Sequence, residues 1–319
     1  MLTVLLATRN RAQILRDVLE AYCRLQTPSS GWKVVVVDNG STDETPQVLA
    51  SFANRLPLQS LCEPRLGKNF ALNTGLALVE GDLTVLTDDD AFPRKDWLVQ
   101  LRKAADTQKV YSIFGGAIVP RWEAPPPLWV GWLDLGPIYT LTDSWLQEGP
   151  LPPVQVSVVQ GPNMAIRSSV FQSGTRFNVA IGPSGSDYPM GSETELLLRL
   201  SQQGHKAWHV AGAVVEHFVR KAQINKEWVL QRAIRWGRGR QRMSPDVKSC
   251  MGIPRHLFRD FPKEGLLMAV AGVSFRQDAL FRSRWRFNIL RGKAIEARIL
   301  ARERRTQARP APEVARGSS

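Results

Sequence analysis

Along the first hundred residues, apolar and polar positions alternate between two rhythms. Leu2–Leu6 is a continuous apolar run, as in a strand covered on both faces. Ala12–Leu25 carries Ile14, Leu15, Val18, Leu19 and Tyr22 at helical spacing, and Val34–Val37 is a second buried-type strand of four valines. A turn cluster follows, Asn39-Gly40-Ser41-Thr42-Asp43, with Ser41 and Glu44 spaced as a capping box for the next helix. Leu58–Cys62 reads as a short strand, Asn69–Val79 as a helix closed by Gly81, Asp82–Thr87 as a strand, and Trp97–Ala105 as a helix. This alternation predicts an α/β fold, a mostly parallel sheet flanked by helices on both sides.

The rhythm breaks at Pro120–Pro153, which holds Pro125-Pro126-Pro127 and Pro152-Pro153 together with Trp122, Trp129, Trp132 and Trp145. Four tryptophans argue against plain disorder. Such a stretch packs on the sheet as a lid, or offers aromatic faces to a sugar ring. Beyond it, Val154–Val159 and Asn163–Arg167 look like strands, Gly182–Gly191 like a loop, Glu193–Gln203 like a helix, and Ala207–Val215 like a strand. From Lys226 onward the chain is helical, basic and contains tryptophan. Thr306–Ser319, rich in Pro, Ala and Arg, is predicted to be disordered.

Composition adds bounds. The chain has 319 residues, 43% hydrophobic and 22% charged, which suits a globular protein with a sizeable core. No apolar run approaches the ~20 residues that span a bilayer; the longest, Gly265–Phe275, is about half that. Met1–Ala7 lacks a basic lead and reads as the first strand, not a signal peptide. Cys23, Cys62 and Cys250 match no metal spacing and fit a reducing cytoplasm. The net charge of +13 is concentrated at the end, where Arg276–Ser319 has 12 Lys/Arg against 4 Asp/Glu. An anionic membrane face, nucleic acid or plain solvation would each account for it.

The candidate chemistry begins with Asp88-Asp89-Asp90 at the tip of a predicted strand. Adjacent carboxylates repel by about 1 kcal/mol in water and several times that near a protein surface, so the triplet points to a divalent cation and the phosphate it carries. Asp38 ends another strand of the same sheet, where open sheets bind ligands; it suits a nucleotide base, or only its own turn. Arg65 and Lys68 stand before a helix start, a place suited to phosphate. In Ser192-Glu193-Thr194-Glu195, Ser192 as N-cap and Glu195 at N3 form a capping box, which leaves Glu193 at N1 without a structural duty and able to act as a general base. His217 ends an apolar strand, as a core histidine or as a metal ligand.

Taken in order, Ala7–Arg11, Val37–Asp43, Gly67–Asn73, Thr87–Asp90, Gly161–Ala165, Gly191–Leu196 and Val215–His217 resemble the family 2 glycosyltransferases over about residues 1–218. The resemblance implies the GT-A fold, with a nucleotide-sugar half (about 1–119), an acceptor half (about 120–218), a basic helical extension (219–305) and a disordered tail (306–319). It implies a nucleotide-sugar donor held by Thr8, Asn10, Asp38, Arg65, Lys68 and Asp88. Mn²⁺ or Mg²⁺ would sit on Asp88, Asp90 and His217. The family's Glu-Asp pair is Ser192-Glu193 here, so Glu193 takes the aspartate's place as the base of an inverting transfer to a saccharide or lipid-linked acceptor. Gln231-Arg232-Ala233-Ile234-Arg235-Trp236 is one residue too long for the processive signature Gln-x-x-Arg-Trp, so a single transfer per encounter is expected. The expected location is the cytoplasm, with peripheral contact at an anionic inner membrane face and no nucleic acid. The rivals are a catalytically weak domain that binds membrane or nucleic acid through its basic end, and a haloacid-dehalogenase-like phosphatase, whose second carboxylate is replaced by Gly40 after Asp38-Asn39. A nicotinamide enzyme lacks its Gly-x-Gly-x-x-Gly.

Overall fold

The computed structural model describes residues 1–142, 145–185, 187–244, 249–250 and 252–307. The chain divides into two compact units, Met1–Val229 and Leu230–Ser319.

The first unit opens with β1 (Leu2–Thr8), α1 (Ala12–Tyr22), β2 (Trp32–Asp38), α2 (Thr45–Phe52), β3 (Leu58–Cys62), α3 (Lys68–Gly75) and β4 (Leu83–Leu86). These four strands pair in parallel in the order β3-β2-β1-β4, and β1, β2 and β4 are almost wholly buried, as their unbroken apolar runs require. β1 lies between β2 and β4, so the connection changes direction there. The carboxyl ends of β1, β2 and β4 lie side by side at Thr8, Asp38 and Leu86, the end of an open sheet where ligands bind.

The rest of the sheet is mixed. β5 (Ala91–Pro93), α4 (Trp97–Thr107), β6 (Ile113–Trp122), α5 (Leu135–Tyr139), β7 (Gly149–Leu151), β8 (Met164–Arg167), α6 (Ser168–Gln172), α7 (Ser192–Gln202) and β9 (Ala207–Val219) continue the order as β4-β8-β6-β9-β5, with β7 also on β9. β8 is antiparallel to both β4 and β6, so the all-parallel frame stops at β4. Between Gly116 and Ala117 the register against β9 shifts. Asn163 fills that irregularity: its amide donates to Ala117 O and Ala213 O at 2.9 and 2.8 Å, and its carbonyl accepts from Trp97 Nε1 at 2.8 Å. A Cβ on Gly116 would stand 2.2 Å from the Asn163 amide nitrogen, so only glycine lets Asn163 come this close.

Two local expectations are corrected. The Ser41–Glu44 capping box does not form, because Ser41 Oγ accepts from Asn10 N instead and Asp43 accepts from Thr45 N and Oγ1. Val154–Val159 is not a strand: Pro153–Val158 is a 3₁₀ turn, since Pro152-Pro153 deprives a strand of two donors. The described part of Pro120–Pro153 is ordered, as its tryptophans suggested. β6 runs into it, α5 forms on an Asp134 cap that accepts from Gly136 N, and Tyr139 stacks on Trp228 with ring centroids 5.9 Å apart.

The elements of the second unit among the described residues are α8 (Lys226–Met243, begun in the first), the pair β10 (Ser249–Cys250) and β11 (Ile253–Pro254), α9 (Leu257–Val273) and α10 (Gln277–Gln307). Gly237 and Gly292 let α8 and α10 touch backbone to backbone; a Cβ at either would lie about 2 Å from a carbonyl oxygen, 2.1 Å and 2.0 Å respectively. Fully buried Glu296 is held between Arg238 (2.8 Å) and Arg242. α10 continues through residues 306–307, where disorder was predicted to begin; residues 308–319 lie outside the described residues.

Candidate functional site

The carboxyl end of β4 and the strand pair β5–β9 bring the acidic triplet to a histidine. Ala91 stands opposite His217 in the antiparallel pair, which sets Asp90 beside that ring. Asp88, Asp90 and His217 each offer a ligand atom, all within 4.8 Å of one another. His217 Nδ1 lies 2.7 Å from the carbonyl oxygen of Tyr139. A carbonyl only accepts, so Nδ1 carries a proton, and Nε2, 3.3 Å from Asp90, is the nitrogen left to bind a metal, the orientation usual for metal-binding histidines. Two carboxylate oxygens and one imidazole nitrogen fit a Mn²⁺- or Mg²⁺-type ion.

Asp89 points elsewhere. Its carboxylate accepts from Thr8 Oγ1 at 2.7 Å, and burial followed by the Asp90 charge raises its pKa to about 7. Asp90 also meets Arg11 at 3.0 Å and Arg220 at 3.3 Å. Burial would raise the pKa of Asp90, but His217, Arg11 and Lys68 outweigh it and hold the group ionised. His217 responds in the opposite sense: burial lowers its pKa, and the Asp90 carboxylate more than offsets this, so it is raised.

Lys68 joins the two halves of the site. Its ammonium lies 2.5 Å from Asp88 and 2.7 Å from Glu193, and the two carboxylates raise its pKa against the effect of burial. Ser192 is not the N-cap of α7. Gly191, at φ 110°, is the cap, buried Ser192 is the first helical residue, and its hydroxyl donates to Glu193 Oε2 at 2.7 Å. Glu195 makes no capping box and pairs with Arg199 one turn on. Burial would raise the pKa of Glu193, but Lys68 and then Ser192 bring it below the ordinary value, so it is ionised at neutral pH. Gly161 leaves the room: a Cβ there would lie 2.7 Å from Glu193 Oε1.

The other expected residues are placed as follows. Asp38 is buried and accepts from Ser41 N at 3.0 Å, within its own turn. Asn10, at φ 51°, accepts from Thr42 N at 2.8 Å beside it. Arg65 forms a two-pronged pair with Glu63 and lies over Phe70, turned to solvent, and is not brought to Asp88. Arg11, Arg220 and Asn39 were not anticipated as contributors. Asn39 holds the loop before α3 by donating to Glu63 O and Arg65 O and accepting from Gly67 N. For Arg11 the only sequence signal was its place in Ala7–Arg11; for Arg220, a cation three residues after His217.

Comparison with known proteins bears on the family and the fold. The family described as "Glycosyl transferase family 2" matches residues 3–173. A probable glycosyltransferase, YdaM of Bacillus subtilis, is 25% identical over 75% of this chain and 55% of its own length. The beta-monoglucosyldiacylglycerol synthase of Nostoc sp. is 28% identical over 35% of this chain and 25% of its own. The chain thus spans about half or less of these relatives. The mannosyltransferase PcManGT of Pyrobaculum calidifontis, solved with GDP-Man and Mn²⁺, superposes with a TM-score of 0.63 at 19% identity, covering 93% of this chain and 86% of that one. At that identity the likeness concerns the fold, which is GT-A.

Proposed function

The chain belongs to glycosyl transferase family 2, and on that premise we propose that it moves a sugar from a nucleotide-diphosphate sugar to an acceptor hydroxyl with inversion at the anomeric carbon. The observation that carries this reading is Lys68, 2.5 Å from Asp88 and 2.7 Å from Glu193, because it brings the diphosphate end and the base within one side chain of each other. Asp88, Asp90 and His217 would hold Mn²⁺ or Mg²⁺, which when bound supplies positive charge at the leaving diphosphate. Thr8, Asn10 and Asp38 line the nucleoside end, and Lys68 serves the diphosphate. Glu193, ionised by Lys68, takes the proton of the acceptor hydroxyl. The acceptor oxygen then bonds to the anomeric carbon from the face opposite the diphosphate, while the carbon–oxygen bond to the nucleotide breaks. Arg11 and Arg220 are positioning residues that steady Asp90.

Residues 1–119 serve the donor and 120–218 the acceptor, which is a saccharide or a lipid-linked one. The relative named a beta-monoglucosyldiacylglycerol synthase supports a lipid acceptor, and with it a place at the inner membrane face. The test is release of free nucleoside diphosphate from a panel of nucleotide sugars with Mn²⁺ or Mg²⁺, repeated with Asp90→Ala and Glu193→Gln. One donor turned over, with both variants reduced about 100-fold or more, is the expected result. No turnover of any donor, or variants equal to wild type, overturns it.

A further inference from the structure

Gly265–Phe275, the longest apolar run of the chain, is not in a core. α9 buries Leu257, Glu264 and Ala271 on one side and turns Phe258, Leu266, Val270 and Val273 outward on the other, with exposures of 56, 66, 56 and 80%. Their spacing of three, four or eight residues puts them on one face of the helix. Phe275 closes the helix at φ 52°, in a left-handed conformation that normally belongs to glycine or asparagine, and the residue is 92% exposed. Packing does not account for holding a phenylalanine there. Large apolar side chains gathered on one helix side mark an interaction surface.

The charges around this face identify the partner. Arg255, Arg259, Lys263 and Arg276 are exposed beside it. The nearby acids are drawn into pairs with arginine: Asp260 with Arg259 at 3.0 Å, Glu264 with Arg286 at 2.9 Å, and Asp278 with Arg282. A short helix with an apolar stripe and a cationic border, too short and too polar to span a bilayer, has the chemistry of one that lies in the plane of an anionic lipid surface. We propose that the exposed face of α9, with Phe275, is a docking surface for an anionic phospholipid bilayer. Phe258, Leu266, Val270, Val273 and Phe275 enter the headgroup boundary, and Arg255, Lys263 and Arg276 meet lipid phosphates. The assignment rests on this helix alone and holds whichever donor the chain uses.

The test uses the full chain, without donor, in cosedimentation with vesicles of phosphatidylcholine containing 30% phosphatidylglycerol and with vesicles of phosphatidylcholine alone. Binding to the anionic vesicles only, weakened by high salt, is expected. Leu266→Asp/Val273→Asp should weaken it at least tenfold, since the apolar gain is lost at two positions, while circular dichroism and donor hydrolysis stay at wild-type levels. Phe275→Ser, at a turn position that makes no packing demand, is the second variant and should weaken binding severalfold. The proposal is overturned if the wild type ignores anionic vesicles, if it binds neutral ones equally, or if both variants bind like wild type. It is overturned equally if light scattering shows a dimer that the variants dissolve without any vesicle binding, which would make the face a contact between copies of this chain.

Discussion

Gly161→Ala separates positioning from folding at the proposed base. A Cβ at residue 161 would stand 2.7 Å from Oε1, 2.9 Å from Cδ and 3.0 Å from Cγ of Glu193. Ordinary contact lies at 3.4–4 Å, so the Glu193 carboxylate must retreat by roughly 0.5–1 Å. It cannot do so and keep both the 2.7 Å contact with Lys68 and the 2.7 Å bond from Ser192. A displacement of about 1 Å in a reacting group costs on the order of 100-fold in rate. The stability cost is small by comparison. The colliding atoms are the free end of a flexible side chain, and an off-rotamer glutamate costs about 0.5–1.5 kcal/mol, partly offset by the lower unfolded-state entropy of alanine. The expected outcome is a kcat for nucleoside diphosphate release down about 30- to 100-fold, with donor KM within about threefold of wild type and the melting temperature lowered by only a few degrees. Because both substitutions act on one carboxylate, Gly161→Ala added to Glu193→Gln should cost nothing further. A Gly161→Ala protein with native circular dichroism and wild-type kcat refutes the reasoning, and so does a double variant whose losses multiply.

Three further outcomes follow from the same geometry. Lys68→Met removes the cation that holds Glu193 below its ordinary pKa; burial then prevails, and the acid limb of the residual kcat–pH profile should move to higher pH, a limb that stays put being the contrary result. Glu63, whose pKa is lowered to about 2 by hydrogen bonds from Arg65 and Thr74, contributes stability that is complete above its free value of 4.5 and is lost as pH falls towards 2. The melting-temperature gap between wild type and Glu63→Gln should therefore be widest near neutrality and close in strong acid, and a gap independent of pH refutes it. Asn163→Ala strands Ala117 O, Ala213 O and Trp97 Nε1 in the interior, and at about 1–3 kcal/mol for each unsatisfied group a loss of several kcal/mol in urea unfolding is expected.

Much of the donor side was legible in the residues themselves. Val34–Val37 and Leu83–Leu86 became buried parallel strands because a run apolar on both faces has no other low-energy home, and the strand tips then had to carry Asp38 and Asp88. Helix ends were less legible. Ser41 and Ser192 both had the spacing of a cap, yet both hydroxyls went to nearer polar partners, Asn10 N and Glu193. Cap preference is worth only about 1 kcal/mol, which a competing hydrogen bond matches.

What the sequence determined by itself is local: the periods that make strands and helices, the acidic triplet and its place after a strand, and the motifs in their order. What only the tertiary structure decided is which of these meet. Lys68 reaches Glu193 across 125 positions, His217 reaches Asp90 because β5 pairs with β9, and Asp90 gains Arg220 from 130 residues away. The α9 stripe likewise reads in the sequence as any apolar run. Which side of a helix is left uncovered depends on what packs against the other side, and that is a property of the whole fold.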